Sequence, residues 1–116
     1  MSGFANGSLG EWLDGELATA PNELAVRLRS MLPQDWRTVT MERAPSVLAD
    51  AAATELRDLL QRGCDTRWAA PGLLAVDALV TFACEALAIS GGDIGAGTAD
   101  ILERVTSTLP QSHRVA

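Results

Sequence analysis

Apolar residues recur every three or four positions along most of the chain, a spacing that predicts α-helices. Prolines, glycines and capping residues divide this pattern into separate segments. We therefore predict an all-α fold, a compact bundle of four or five helices around a central apolar helix at about 71–90. The predicted helices cover residues 9–18, 21–32, Ser46 to Gly63, 71–90 and 98–109.

The predicted helix ends rest on specific residue types. Ser8 followed by Glu11 is a capping box, and Ser46 is expected to cap the third helix. Gly63 and Gly91 stand where helices should stop, because glycine readily takes the left-handed conformation that ends a helix.

Two segments lack a helical period. Residues 33–45 are predicted to form a loop anchored by Trp36. The glycine-rich stretch that starts at Gly91 is predicted to be a flexible connector, with Thr98 or Asp100 as the next N-cap.

The length of 116 residues fits one domain that buries a single core. Apolar residues make up 47% and charged residues 21%, as in ordinary globular proteins. We expect one helical domain at 9–109, with a mobile N-terminus at 1–8 and a mobile C-terminal tail at 110–116.

The helix at 71–90 is about 30 Å long, which matches the thickness of a hydrocarbon core. It also carries Asp77, Thr81 and Glu85 in one polar stripe, and each acidic residue in a bilayer centre costs about 2.5–3.5 kcal/mol. We therefore predict a soluble helix whose wide apolar surface is covered by other helices and whose stripe faces solvent. An alternative is a ligand pocket near a buried Asp77, which would consist of Asp77, Thr81, Cys84 and Glu85.

A self-association interface is a further interpretation of the same helix. Ala75, Ala78 and Ala86 form a shoulder of small residues that permits close approach of another helix. The tryptophans are expected to be lids on the core, or alternatively exposed anchors for a partner. The candidate interface residues are Trp12, Trp36, Trp68, Ala75, Ala78 and Ala86.

Charge makes nucleic acid an unsuitable partner. The net charge is −6, and no basic residue occurs between Arg67 and Arg104. A phosphate backbone would be repelled by that acidic stretch. We expect neither nucleic acid nor membrane among the partners.

Familiar catalytic and metal-binding patterns are missing from the sequence. A phosphate-binding loop of the Walker type needs a lysine, and the chain has none. His113 is the only histidine, and Cys64 and Cys84 form no Cys-x-x-Cys pair. We expect two reduced thiols, with Cys84 as a small core residue, and no cofactor or metal.

The sequence therefore favours a non-enzymatic, cytoplasmic interaction or accessory protein that self-associates, as a homodimer, or binds a protein partner. The start of the sequence has neither the charged nor the apolar region of a secretory signal. The alternative is a small-molecule-binding or minor enzymatic helical domain that uses the pocket near Asp77, Glu85 and Cys84.

Overall fold

The computed structural model describes residues 7–63, 67–107 and 109, except for the side chain of Trp68. In this part of the chain all the regular elements are helical, which confirms the predicted all-α class. The terminal segments 1–6 and 110–116, which include most of the predicted mobile ends, lie outside the described residues. The elements are α1 (Leu9–Leu17), α2 (Asn22–Met31), α3 (Ala44–Arg62), α4 (Ala70–Ser90) and α5 (Ile94–Thr106), with 3₁₀ turns at Trp36–Thr38 and Arg67–Ala69.

Several helix ends follow the local signals in the sequence. The Ser8 hydroxyl accepts a hydrogen bond from the Glu11 backbone N–H at 3.2 Å, which confirms the N-cap of α1. Gly63 and Gly91 have φ values of 90° and 76°, in the left-handed region, directly after α3 and α4. Glycine has no Cβ to oppose these conformations.

The start of α3 differs from the prediction. The helix begins at Ala44, two residues before Ser46, which is therefore not its cap. Pro45 fits the first turn, where its fixed φ is already helical and no N–H is needed. The Ser46 hydroxyl instead donates to the Asp100 carboxylate at 3.2 Å, and so joins α3 to α5.

The start of α5 was also predicted wrongly. Asp93 is the N-cap, and its carboxylate accepts a hydrogen bond from the Ala96 backbone N–H at 3.0 Å. The helix therefore begins at Ile94, and Thr98 and Asp100 lie inside it. A helical start here brings Gly97 against Leu87 of α4, where the missing side chain leaves room for the leucine.

The segment between α2 and α3 is attached to the beginning of α1. The Leu9 N–H donates to the Val39 carbonyl at 2.7 Å, and Ser8 and Thr40 form an isolated β-bridge. Trp36 is only 7% exposed, which confirms that it anchors this segment.

The centre of the fold is the contact between α3 and α4, and α4 also contacts α2 and α5. Small side chains lie at this contact, and they allow the two helix backbones to approach closely. Gly72 shows how close they are, because a Cβ there would lie 2.8 Å from the Leu59 side chain. The fully buried alanines of the two helices are Ala44, Ala49 and Ala52 of α3 and Ala75, Ala83 and Ala86 of α4.

Asp14 connects three elements through two ion pairs. Its carboxylate lies 2.6 Å from the guanidinium of Arg37, which is in the first 3₁₀ turn. It also lies 3.3 Å from the guanidinium of Arg29 on α2. The hydrogen bond from Arg37, helped by the charge of Arg37 and by Arg29, holds the pKa of Asp14 below its usual value.

We expect Asp14→Asn to lower the free energy of unfolding at neutral pH by about 0.5–1 kcal/mol, because solvent weakens such partly exposed pairs. A lowered folded-state pKa stabilises the fold above the unfolded pKa, and this contribution is lost as the pH falls through the folded pKa. The difference between Asp14→Asn and the parent should therefore shrink below about pH 4 in urea unfolding curves. Asp35→Asn, an exposed aspartate without an ion pair to the described residues, is the control and should change little. A difference for Asp14→Asn that persists unchanged at low pH would show that the ion pairs are not its cause.

Candidate interaction surface

The four residues of the predicted pocket lie on the outer side of α4. Asp77, Thr81, Cys84 and Glu85 are all exposed, so Asp77 is solvated and does not mark a buried cavity. Neither the Asp77 nor the Glu85 carboxylate takes part in an ion pair with the described residues. Cys84 was expected in the core and is instead at the surface, because the buried side of α4 runs through the neighbouring positions Ala83 and Ala86.

Most of the predicted interface residues lie inside the chain's own core. Trp12 is 6% exposed and packs edge-on against Phe82, with the ring centroids 5.8 Å apart. Trp36 is buried with the Arg37 guanidinium 4.5 Å from its ring centroid. The structure thus gives both tryptophans the role of core lids, and the side chain of Trp68 lies outside the described residues.

The shoulder of alanines is divided between the core and the surface. Ala75 and Ala86 are fully buried, where α4 packs within its own chain, and a partner docking on the folded surface cannot reach them. Ala78 is half-buried and remains accessible from outside.

The outer side of α4 is unusually apolar for a solvent-facing surface. Leu74 is 55% exposed, Leu73 41% and Ile89 37%. The most apolar 18-residue window of α4 has a mean hydropathy of 1.9, and 33% of it is buried. By length and composition α4 is a candidate membrane span, a test that the core helix of a soluble protein also passes. The low burial leaves large apolar side chains exposed on the outer side of α4.

Helical spacing places part of this surface on one line. We name it the α4 seam, and steps of three and four residues separate its members. It is about 25 Å long, from the rise of 1.5 Å per residue. The α4 seam consists of Pro71, Leu74, Ala78, Thr81, Glu85 and Ala88.

A groove lies at each end of the α4 seam. At the N-terminal end α2 and α4 enclose a groove of about 480 Å³, whose lining includes Leu24, Pro71 and Leu74. At the other end a shallower groove of about 390 Å³ lies between α1 and α4, with Glu16 and Ile89 among its lining residues. Because both grooves open on the same flank of α4, the seam is walled by α2 at one end and by α1 at the other.

Sequence reasoning missed Leu74 and the walls from α1 and α2. One signal was available: Leu74 and Ala88 continue the line of Asp77, Thr81 and Glu85 by a further three residues in each direction. The solvent-facing stripe therefore already implied that Leu74 would be exposed. The walls left no such signal, because α1 and α2 meet α4 only through the fold.

Within the described residues no three histidine, cysteine, aspartate or glutamate side chains come together to hold a metal ion. Compared with known proteins, the chain matches no family model, no curated protein and no solved structure.

Proposed function

We propose that this chain is a non-enzymatic interaction protein that binds a helix of a partner protein along the α4 seam. The observation that carries the proposal is the solvent-facing line from Pro71 to Ala88, with a groove at each end and an exposed apolar side chain in each groove, Leu74 in one and Ile89 in the other. Amphipathic helices commonly dock in apolar grooves through side chains spaced three and four residues apart.

The groove between α2 and α4 supports this proposal because it can receive an anchoring side chain. Leu24 is partly buried and Leu74 exposed, so an apolar side chain entering between them removes apolar surface from water. A few such anchors usually provide most of the binding energy of an interface. Small residues at Ala78 and Thr81 allow the partner helix to lie close to α4 between the grooves.

The test uses three fluorescent 20-residue helical peptides with the same leucine and alanine stripe and with lysine, glutamine or glutamate on the flanks. We expect saturable binding of at least one peptide in fluorescence anisotropy. Binding should be at least tenfold weaker for Leu74→Glu, since losing an anchor side chain in a groove costs about 1.4 kcal/mol or more. Val26→Glu on α2 is the matched control, because Val26 is 57% exposed and lines neither groove. Its affinity should stay within about twofold of the parent.

Several outcomes would overturn the proposal. They are binding by none of the peptides, equal loss in both variants, and recovery of folded protein only in detergent. Recovery only in detergent would show that the apolar surface of α4 contacts lipid and not a partner helix. A stable dimer in light scattering that dissociates in Leu74→Glu would show that a second copy occupies the seam.

A further inference from the structure

The charged groups beside the α4 seam are predominantly acidic. Glu85 belongs to the seam, and Asp77 lies on one side of it. On the other side, Glu23 lines the groove at α2 and Glu16 the groove at α1. In the described part of the chain, these four carboxylates form no ion pairs.

The basic groups in α4 and in the two grooves do not balance these charges, and Arg67 is exposed beyond the N-terminal end of the seam. No arginine, lysine or histidine occurs in α4. Arg27 lines the groove at α2, but its guanidinium lies 2.9 Å from the Glu55 carboxylate and is already paired. Arg104 of α5 is engaged by Asp50 and Asp100 at 2.9 and 2.8 Å. The surface around the seam therefore carries an excess of negative charge on both flanks.

We propose that the helix bound by the α4 seam is a basic amphipathic helix of a different protein, an inference that rests on the proposed function. Its apolar stripe packs on Leu74 and Ile89, and lysine or arginine residues on its flanks meet Asp77 on one side and Glu16 and Glu23 on the other. Complementary potentials of this kind select the partner and speed its association.

A second copy of this chain fits the seam less well. In an antiparallel copy centred on the seam, Glu85 would lie against Leu74 of the second chain. In a parallel copy the two Glu85 carboxylates would face each other. A charge against an apolar side chain loses hydration, and like charges repel, so both arrangements are unfavourable.

The three peptides also test this inference. At low salt we expect the lysine peptide to bind about five- to tenfold tighter than the glutamine peptide, and the glutamate peptide to bind weakest. The double variant Asp77→Asn/Glu85→Gln should lose about half of the advantage of the lysine peptide, because Glu16 and Glu23 keep their charges on the other side of the seam. About 0.5 M salt should reduce the advantage in the parent protein as well, because salt screens exposed charges.

The control separates local charge from net charge. Asp35→Asn/Glu42→Gln makes the same change in net charge on the segment between α2 and α3, and it should preserve the preference for lysine. Equal affinity of the lysine and glutamine peptides, or equal loss of preference in both double variants, would overturn the basic partner. If binding still depended on Leu74, the proposed function would survive that result; without dependence on Leu74, both would fall.

Discussion

Leu79→Ala is expected to lower the free energy of unfolding by about 2–5 kcal/mol, the cost of removing a fully buried leucine side chain. Leu79 has no exposed surface and belongs to the buried face of α4 that packs within the chain. Truncation removes apolar contacts and leaves a cavity that rigid helices close only in part. Urea unfolding followed by circular dichroism measures the change from the shift of the midpoint.

Leu74→Ala is the matched control, because it makes the same chemical change in the same helix at a position that is 55% exposed. Its stability should stay within about 0.5 kcal/mol of the parent. Equal costs at Leu79 and Leu74 would mean that α4 is rotated or covered differently, and the α4 seam would then not be a free surface. A stable Leu74→Ala protein would also support using Leu74 variants in binding experiments.

Gly10→Ala is expected to destabilise the fold by about 1–3 kcal/mol through overpacking. A Cβ at Gly10 would lie 2.8 Å from the carbonyl oxygen of Arg37 and 2.9 Å from its Cα. These are backbone atoms, so relief requires α1 to move away from the first 3₁₀ turn. That movement would strain the Leu9 to Val39 hydrogen bond and the ion pair between Asp14 and Arg37.

Gly15→Ala in the same helix should have the opposite sign. Apart from the backbone of α1 itself and the neighbouring residues, no atom of the described residues lies within 4 Å of a Cβ placed at Gly15, so alanine adds helix propensity without a clash. We expect a gain of about 0.5–1 kcal/mol. Thermal unfolding of both variants separates close packing at Gly10 from the general effect of replacing a helical glycine. A gain for Gly10→Ala of the same size would contradict the close approach of α1 and Arg37.

The two sides of α4 contribute differently to the stability of the fold. The buried side consists largely of alanine, with leucine at positions 79 and 87, and it supports the fold. The outer side combines exposed leucines with carboxylates, and it stabilises little in the isolated chain. Substitutions on the two sides should therefore separate stability from binding.

The fold class and several helix ends could be predicted from the sequence because their causes are local. Ser8 satisfies a backbone donor within its own turn, and Gly63 and Gly91 adopt backbone angles that other residues avoid. The starts of α3 and α5 were misplaced, because Pro45 and Asp93 outweighed the capping signals at Ser46 and Thr98.

The sequence by itself determined that the chain is helical and where most of its helices lie. It favoured solvent exposure for the line of Asp77, Thr81 and Glu85 but left a pocket at a buried Asp77 open, and the tertiary structure decided that the line is exposed. Only the tertiary structure decided which remaining sides of α4 are covered, that Trp12 and Trp36 are buried, and that α1 and α2 form walls beside the α4 seam. The physical reason is the distance along the chain over which each interaction acts. Caps and turns act over a few neighbouring residues, whereas a helix that is apolar over most of its circumference acquires an inside and an outside only when distant helices pack against it.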